Sequence, residues 1–224
     1  MSDMKKDYQA FHDGLREHFI PYTRKAFQAL PTLDRPRILD IGCGTGLPAL
    51  HLAELSQGNI VGIDIDEPSL DELRRRVEEA GLSGRVSAVK CSLFDMDFPN
   101  ESFDIIWAEG SIAAIGFERG LREWRRFLKP QGFLAVHDET GNITEKLAKI
   151  ADCGYDLVDY FSVSEKVWWN EYYAPLEKRI SEIRATCGDA PEALALLDSD
   201  EQFLEVFKKN PERYSSVFFI MKKR

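Results

Sequence analysis

The feature that most narrows the fold of this chain is an apolar run that leads into three glycines. Residues 37–46 read RILDIGCGTG, and the glycines are Gly42, Gly44 and Gly46. Glycine allows positive φ angles and lets backbone N–H groups approach a bound molecule, because it has no Cβ atom. A turn between a strand and a helix seldom needs three glycines. We therefore predict a loop that holds a nucleotide-like cofactor, and a loop that only turns the chain is the alternative.

Strand and helix patterns alternate along the residues that follow. Apolar runs predict strands at 37–41, 59–65, 85–91, 103–108, 133–137 and 155–163, and helical periodicity predicts helices at 48–55, 67–80, 117–128 and 144–153. A turn at 129–132 is predicted to open the fifth strand. This order is typical of a doubly wound α/β fold, in which the C-terminal ends of parallel strands face one crevice.

Net charge and cysteine content limit the expected binding partners and the expected cellular compartment. The chain has 29 basic and 38 acidic residues and a net charge of -9, which disfavours nucleic acid and anionic membranes as partners. The four cysteines, Cys43, Cys91, Cys153 and Cys187, form no CxxC pair and accompany no His cluster. We therefore expect no metal site and a reducing compartment. Because no apolar run resembles a signal peptide or a membrane span, cytoplasmic residence is the expectation.

Four motifs follow one another between residues 36 and 138. They are ILDIGCGTG at 38–46, VGID at 61–64, FPNESFD at 98–104 and LKPQGF at 128–133. In this order they resemble the motifs of class I S-adenosylmethionine-dependent methyltransferases, in particular the methyltransferase type 11 group, which is similar to the quinone-biosynthesis methyltransferases. The resemblance implies S-adenosylmethionine as the cofactor. It also implies a Rossmann-like, mostly parallel seven-stranded sheet whose last strand, here 216–221, is antiparallel.

The same resemblance implies the cofactor contacts. Asp64, at the end of the second strand, would bind the ribose hydroxyls, since a carboxylate can accept two hydrogen bonds from a diol. Where the family often has an acid for the adenine amino group, this chain has Ser92 and then Leu93, with Asp95 as a nearby alternative. The cofactor-binding residues expected in all are Asp40, Gly42, Cys43, Gly44, Gly46, Asp64, Ile65, Ser92, Leu93 and Glu109.

Glycine spacing separates methyl transfer from hydride transfer. The dinucleotide fingerprint is GxGxxG, whereas the third glycine here comes one residue earlier. Together with the resemblance, this spacing predicts direct in-line methyl transfer from S-adenosylmethionine to a small-molecule acceptor. A non-catalytic S-adenosylmethionine-binding or scaffold protein is the alternative, and an NAD-dependent oxidoreductase is a less favoured one.

For this reaction the protein has mainly to align the acceptor with the methyl group. A general base is needed only if the acceptor must lose a proton. The candidates stand at the ends of the fourth and fifth strands and are Glu109, His137, Asp138 and Glu139. His137 is favoured for the usual pKa of an imidazole. Glu109 could instead hold the cofactor, and the other three could cap the fifth strand.

The predicted methyltransferase domain has four parts. These are an N-terminal helical lid at 1–33, a cofactor-binding core at 34–163, a helical insertion at 164–214 and the last strand at 215–224. The insertion is predicted to cap the crevice, with one helix that Pro175 kinks or restarts. Two further helices are expected at 190–197 and 201–208.

Aromatic residues are concentrated in the insertion. Trp168, Trp169, Tyr172 and Tyr173 could line a substrate pocket, pack in a core or form a contact in a homodimer. In the N-terminal segment, Tyr8 or His12 could lie near the substrate, or the helix could only pack at the rim of the crevice. No motif identifies the acceptor or the atom that is methylated.

Overall fold

The computed structural model describes residues 3–187 and 191–224, and these residues form two compact units. The larger unit comprises Ile20–Ser162 and Val217–Arg224. The smaller unit comprises the described residues of Met1–Phe19 and Val163–Ser216. Ala190, where a helix was predicted to begin, and the side chain of Cys187 lie outside the described part of the chain.

A seven-stranded sheet forms the centre of the larger unit. Its strands are β1 (Arg37–Ile41), β2 (Asn59–Asp64), β3 (Val86–Lys90), β4 (Phe103–Glu109), β5 (Leu128–Glu139), β6 (Tyr155–Val163) and β7 (Ser216–Lys223). Their order across the sheet is β3-β2-β1-β4-β5-β7-β6, and the β3-β2-β1-β4-β5 part is parallel. The predicted Rossmann-like α/β class is confirmed.

β7 runs antiparallel to both of its neighbours. The ring of Phe218 lies against Phe161 of β6, and the end of β7 reaches the start of β6, where the backbone N–H of Arg224 donates to the carbonyl of Gly154. On the other side, Lys223 donates to the carbonyl of Leu128 at the start of β5. Later residues of β7 thus meet earlier residues of β5 and β6, so the predicted antiparallel last strand is confirmed.

Burial explains which strands stand in the middle of the sheet. Alternate residues of β1 face two different cores, with Leu39 and Ile41 in one and Ile38 in the other. Strands that are apolar on both faces are stable only when helices cover both faces. β6 is exposed along most of its length and carries Asp156 and Asp159, charges that suit a strand at the edge of a sheet.

The predicted turn at 129–132 is wrong, because these residues lie inside β5. The pairing of β4 with β5 shifts register between Phe103 and Ile105, so β5 bulges there. Gln131 adopts a left-handed conformation with φ of 63° within this bulge. The Pro, Gln and Gly residues that are typical of a turn therefore form an irregular start to a long strand.

Helices of the larger unit flank the sheet. They are α2 (Ile20–Gln28), α3 (Leu47–Ser56), α4 (Glu67–Glu79), α5 (Ile112–Ile115), α6 (Phe117–Trp124) and α7 (Ile143–Asp152), and a short 3₁₀ turn at Arg125–Phe127 follows α6. Asp66 caps α4 as predicted, since its carboxylate accepts from the backbone N–H of Ser69 at 3.0 Å. The helix ends one residue earlier than predicted.

The smaller unit is helical. It contains α1 (Asp3–Glu17), α8 (Glu165–Trp168), a π-helix at Trp169–Tyr173, α9 (Ala174–Cys187), α10 (Pro191–Lys209) and a 3₁₀ turn at Pro211–Tyr214. Leu15 of α1 shares one core with Leu176, Ile180, Leu197 and Leu204. The expectation of two helices within 190–208 is wrong, since one helix runs through Asp200 without a break. None of the helices in the described ranges is both long and apolar enough to cross a membrane.

Candidate functional site

The glycine loop joins β1 to α3 and has a left-handed backbone at each glycine. The φ angles are 72° at Gly42, 52° at Gly44 and 87° at Gly46. The backbone N–H groups of Gly42 and Cys43 both donate to the carbonyl of Ile63, at 2.8 and 3.0 Å. These bonds hold the loop against the C-terminal end of β2.

The three glycines have different surroundings. A Cβ atom at Gly42 would lie 2.5 Å from the Cβ atom of Ser111, and one at Gly46 would lie 2.2 Å from a methyl group of Leu73. Both glycines are therefore needed for close packing within the protein. A Cβ atom at Gly44 would meet no atom of the described chain within 4 Å. Gly44 thus leaves open space at the mouth of the loop, which is where a ligand could approach the backbone.

Asp64 lies directly beside Gly44. Its Oδ2 atom accepts the backbone N–H of Gly44 at 2.9 Å, and its Oδ1 atom accepts that of Asp66 at 3.0 Å. Each carboxylate oxygen has a further lone pair after these bonds. Asp64 is therefore oriented by the backbone and can still accept hydrogen bonds from a diol.

Asp40, on β1 just before the loop, is 1% exposed. Its Oδ2 atom is buried and has no hydrogen-bond partner among the residues that the structure describes. Burial, followed by the nearby charges of Glu109 and Asp64, raises the pKa of Asp40 well above its usual value. A cationic or hydrogen-donating ligand would satisfy this oxygen, because a buried acceptor without a partner is costly.

Glu109 ends β4 and is held by two donors. Its Oε1 atom accepts from Nε1 of Trp107 at 2.7 Å and from Oγ1 of Thr23 at 2.9 Å. Burial raises the pKa of Glu109 to about 7, although both hydrogen bonds act in the opposite direction. A carboxyl group with this pKa can gain or lose a proton near neutral pH.

The predicted adenine-side residues follow β2 and β3. Ile65 is 67% exposed, an unusual position for a large aliphatic side chain next to Asp64. The backbone N–H of Cys91 donates to the carbonyl of Asp64 at 3.0 Å, which brings the end of β3 to the same edge. Ser92 uses its hydroxyl oxygen to accept from the backbone N–H of Phe94 at 3.2 Å, and Leu93 is half-buried.

His137 lies in β5, with its backbone carbonyl accepting from Gly110 at 2.9 Å. The residue is 8% exposed, and its ring stacks on Phe218 with centroids 4.1 Å apart. The reason for favouring His137 as a base was its usual pKa, and that premise is wrong. Burial lowers the pKa of His137 to about 3, so the ring is a weak proton acceptor at neutral pH.

Two other strand-end acids have structural partners. Asp138 is buried and accepts from Nζ of Lys146 at 2.5 Å, and the same ammonium group bonds the backbone carbonyl of Glu139. These contacts tie the end of β5 to α7. They favour the interpretation that the residues after His137 cap the strand.

Cys43 contributes its backbone to the loop, while its side chain points into the protein. The thiol is buried, and its sulfur would lie 2.9 Å from a Cβ atom at Gly62. Burial, together with the charges of Asp40 and Asp64, raises the pKa of Cys43. The thiol is therefore protonated and unreactive at neutral pH.

The aromatic residues of the smaller unit form a connected cluster. Trp168 stacks on Phe19 at 4.2 Å, and its Nε1 atom donates to the hydroxyl of Ser216 at 2.8 Å. Trp169 stacks on Phe207 at 5.7 Å. Tyr172 and Tyr173 extend the cluster, and all four predicted pocket residues are half-buried. Trp169, Tyr172 and Tyr173 pack against the core of their own unit, and all four residues keep part of their surface exposed.

Three residues that position the site were not predicted from the sequence. Ser111 packs against Gly42 and donates to the carbonyl of Ile41 at 2.5 Å, while Thr23 and Trp107 hold Glu109. Thr23 is fully buried in α2. Its partner is 86 positions away, so no spacing pattern could have indicated the pair.

The residues at this edge fit the cofactor that the motifs imply. The open side of Gly44, the oriented Asp64 carboxylate and the unsatisfied oxygen of Asp40 together offer acceptors for hydroxyl and amino groups. In the described part of the chain, no three His, Cys, Asp or Glu residues are grouped so that they could hold a metal ion.

Similar proteins were found by sequence and by structure. Sterol 24-C-methyltransferase erg6 of Aspergillus fumigatus is 35% identical over 132 residues, which is 58% of this chain and 33% of that protein. The chain spans 33% to 46% of the length of the first curated relatives that it matches.

Two solved structures resemble the chain over most of its length. A SAM-dependent methyltransferase from Geobacter sulfurreducens, in complex with S-adenosyl-L-homocysteine, has a TM-score of 0.74 at 17% identity and covers 93% of this chain and 91% of its own. The [4+2]-cyclase SpnF has a TM-score of 0.74 at 22% identity and covers 91% and 80%. At these identities the likeness shows the fold.

A family match covers the part of the chain that carries the site. Residues 38–132 match the family described as "Methyltransferase domain". This segment includes the glycine loop, Asp64 and Glu109. Over this segment the chain is similar to the methyltransferase domain family.

Proposed function

We propose that this protein transfers the methyl group of S-adenosylmethionine to a small-molecule acceptor. The observation that carries the proposal is the open space at Gly44, directly beside a carboxylate that the backbone holds in place. A glycine with open space beside its Cα atom, next to an acid at the end of β2, suits a ligand with ribose hydroxyls. The family match over 38–132 supports the same ligand.

Each residue at the strand ends has a role in the proposal. Asp64 accepts the ribose hydroxyls, and Ile65 covers one face of the adenine. Asp40 and the backbone of Gly44 meet the methionine part, where an ammonium group would complete the unsatisfied bond of Asp40. Ser92 and Leu93 meet the adenine edge.

The cofactor supplies a sulfonium whose methyl group is electrophilic without further activation. The work of the protein is therefore to fix the position of the acceptor and to keep water away, since alignment alone can supply much of the rate. If the acceptor must lose a proton, Glu109 is the proton acceptor favoured within the larger unit. Its pKa of about 7 suits this role better than the pKa of about 3 at His137.

The acceptor is proposed to be small and partly apolar. The half-buried aromatic side chains Trp168, Trp169, Tyr172 and Tyr173 suit contact with such a molecule. A relative named for a sterol also supports a small apolar acceptor. A homodimer and cytoplasmic residence remain predictions from the sequence.

Methyl transfer can be tested with tritium-labelled S-adenosylmethionine and the full chain. The acceptors would be separate pools of phenols, amines, carboxylic acids, thiols and sterols. The expected result is label in the organic product of one pool, with matching release of S-adenosylhomocysteine. Asp64→Asn should reduce the label at subsaturating cofactor, and His51→Gln on the half-exposed face of α3 is the matched control.

A non-catalytic or non-transferring role is the second candidate. It is favoured by the likeness in fold to a protein described as a [4+2]-cyclase, since that fold serves a reaction other than methyl transfer. Tight binding of S-adenosylmethionine with no label transferred to any pool would favour this candidate over the first.

A further inference from the structure

A line of hydrogen bonds joins three chain segments inside the smaller unit. The hydroxyl of Tyr172 lies 2.7 Å from Nδ1 of His12, and Nε2 of His12 lies 3.0 Å from Oδ2 of Asp200. The hydroxyl of Tyr8 donates to the same oxygen at 2.7 Å. The segments are α1, the π-helix and α10, which are far apart in sequence. The hydrogen bonds thus connect a phenol to an imidazole, and the imidazole to a carboxylate.

The direction of these bonds follows from the carboxylate. Hydrogen bonds from His12 and Tyr8 lower the pKa of Asp200, although burial acts in the opposite direction. An ionised carboxylate can only accept, so Nε2 of His12 carries the proton. In the neutral imidazole, Nδ1 then has the free lone pair and accepts from Tyr172. An imidazole oriented in this way by a carboxylate is a prepared proton acceptor.

Tyr172 takes part in these hydrogen bonds from a π-helix. The local sequence explains why this π-helix forms. Pro175 has no N–H to offer the carbonyl of Glu171, and that carbonyl is contacted by Nδ1 of His18 at 3.2 Å instead. The backbone N–H of Ala174 donates to the carbonyl of Trp169, five residues earlier. π-Helical turns are rare in proteins, and those that do occur lie frequently at functional sites. This observation is independent of the hydrogen bonds of His12.

The side chains that form these hydrogen bonds are partly buried. The side chain of His12 is 12% exposed and that of Asp200 is 25% exposed. Burial raises the pKa of Tyr172, so the phenol is protonated until a base removes its proton. Among the described residues, the other charged or titratable groups that act on Tyr172 or Asp200 are Tyr8, Asp13 and Arg16.

We propose that Tyr172, His12 and Asp200 form a proton relay, in which the phenol of Tyr172 takes a proton from a bound small molecule. Tyr172 and His12 are the catalytic residues of the relay, and Asp200 is a positioning residue. The proposal rests on the proposed function for the identity of that molecule, which is a methyl acceptor with a hydroxyl, an amine or an acidic C–H group. The relay lies within the smaller unit and is separate from Glu109, which belongs to the larger unit.

Each proton that moves in the proposed relay is accounted for. The acceptor atom loses one proton and gains one methyl group. That proton goes to the oxygen of Tyr172 as Tyr172 gives its own proton to Nδ1 of His12. The imidazolium is balanced by the carboxylate of Asp200 and later releases its proton to water.

Reaction with phenylmethanesulfonyl fluoride tests the relay without a known acceptor. A phenol whose proton is taken by an imidazole attacks the sulfur, fluoride leaves, and a stable sulfonate ester forms on the oxygen. Peptide mass spectrometry on the full chain would give the rate of labelling at each tyrosine. Tyr160, which is 44% exposed on β6, is the internal reference. We expect faster labelling at Tyr172 than at Tyr160, with a loss of roughly 100-fold at Tyr172 in His12→Gln.

Matched variants separate the relay from general effects on folding. His18→Gln removes the other imidazole that touches the π-helix, and its labelling at Tyr172 should stay within about twofold of wild type. Circular dichroism would verify that each variant is folded, and calorimetry with S-adenosylmethionine would show that cofactor binding is retained. Labelling at Tyr172 no faster than at Tyr160, or unaffected by His12→Gln, would overturn the relay while leaving the proposed function intact.

The positioning role of Asp200 has its own signature. In the wild type, nitrogen-15 NMR should find the proton of the His12 ring on Nε2. In Asp200→Asn the amide can donate to Nε2 instead, which moves the ring proton to Nδ1 and removes the acceptor for Tyr172. Labelling at Tyr172 should fall with this change of tautomer. Asp200→Asn with an unchanged ring tautomer and unchanged labelling would contradict the assigned role.

Discussion

Gly42 and Gly44 lie two residues apart, with different atoms beside their Cα atoms. An alanine at 42 would collide with Ser111, whereas an alanine at 44 would extend into open space. Gly42→Ala should therefore lower the free energy of unfolding by roughly 2–4 kcal/mol, from the collision and the left-handed backbone together. Gly44→Ala should lower it by only about 1–2 kcal/mol, from the backbone alone. Urea unfolding of the two variants measures both values.

The same two variants should affect cofactor binding differently. In a folded Gly42→Ala protein the added methyl group faces Ser111. A change in its affinity for the cofactor would therefore come only indirectly, through a shift of the loop. Gly44→Ala places a methyl group where the cofactor is proposed to approach, and we expect its affinity to fall by at least roughly tenfold, or about 1.4 kcal/mol. Full affinity in a folded Gly44→Ala protein would contradict the place assigned to the cofactor.

Glu109 gives the larger unit a predicted dependence of stability on pH. Its folded pKa of about 7 lies above the usual value of 4.5, so the folded state holds the proton more tightly than the unfolded state. The contribution of Glu109 to stability is thus fully present below pH 4.5 and is lost as the pH rises to about 7. The loss is expected to reach about 3 kcal/mol at most. Urea unfolding at pH 5 and pH 8 would measure it.

Glu109→Gln is the matched variant for this prediction, because it keeps an oxygen that can accept from Trp107 and Thr23. The variant should lack the part of the pH dependence that Glu109 causes, and above pH 7 it should be more stable than the wild type. A wild type and variant with parallel stability between pH 5 and pH 8 would show that the carboxyl of Glu109 titrates normally.

At the scale of elements, the bulge that opens β5 carries local strain. Gln131 has a φ of 63°, a conformation that glycine adopts without cost and that other residues adopt at a cost of about 1–2 kcal/mol. Gln131→Gly should therefore raise the free energy of unfolding by roughly 0.5–1 kcal/mol, after the greater entropy of glycine in the unfolded chain is counted. Urea unfolding midpoints would measure the change.

Ser83→Gly is the control for the bulge, because Ser83 is exposed in a turn and has no positive φ. Glycine there gains nothing in the folded state and should lower stability by up to about 1 kcal/mol. If both substitutions lowered stability equally, the left-handed backbone at Gln131 would be no source of strain.

Local signals determined which elements could be predicted from the sequence. β1 and β6 have the predicted limits, since each is a run of strand-forming residues between clear breakers, and Asp66 caps α4 with the expected side chain. α10 was predicted as two helices, at 190–197 and 201–208. In the structure Asp200 stays helical, and its carboxylate is satisfied by Tyr8 and His12 from the other end of the chain. No local pattern carries that information.

On the scale of the whole molecule, the sequence predicts the site of the methyl donor better than the site of the methyl acceptor. The strand patterns predicted that Gly44, Asp64 and Glu109 stand at strand ends, and a parallel sheet brings such ends to one edge. Their roles toward the cofactor stay predictions. The contact of Thr23 with Glu109 and the relay through His12 depend on distant segments, so only the folded chain reveals them.

Isothermal titration calorimetry with S-adenosylmethionine tests the central claim most directly. We expect one site per chain in the wild type, and an affinity roughly 10-fold to 100-fold lower in Asp64→Asn, which loses a charged acceptor for the ribose hydroxyls. Asp66→Asn, which keeps the cap of α4, should bind as the wild type does. Absence of binding to the folded wild type, or equal affinity in Asp64→Asn, would contradict the account.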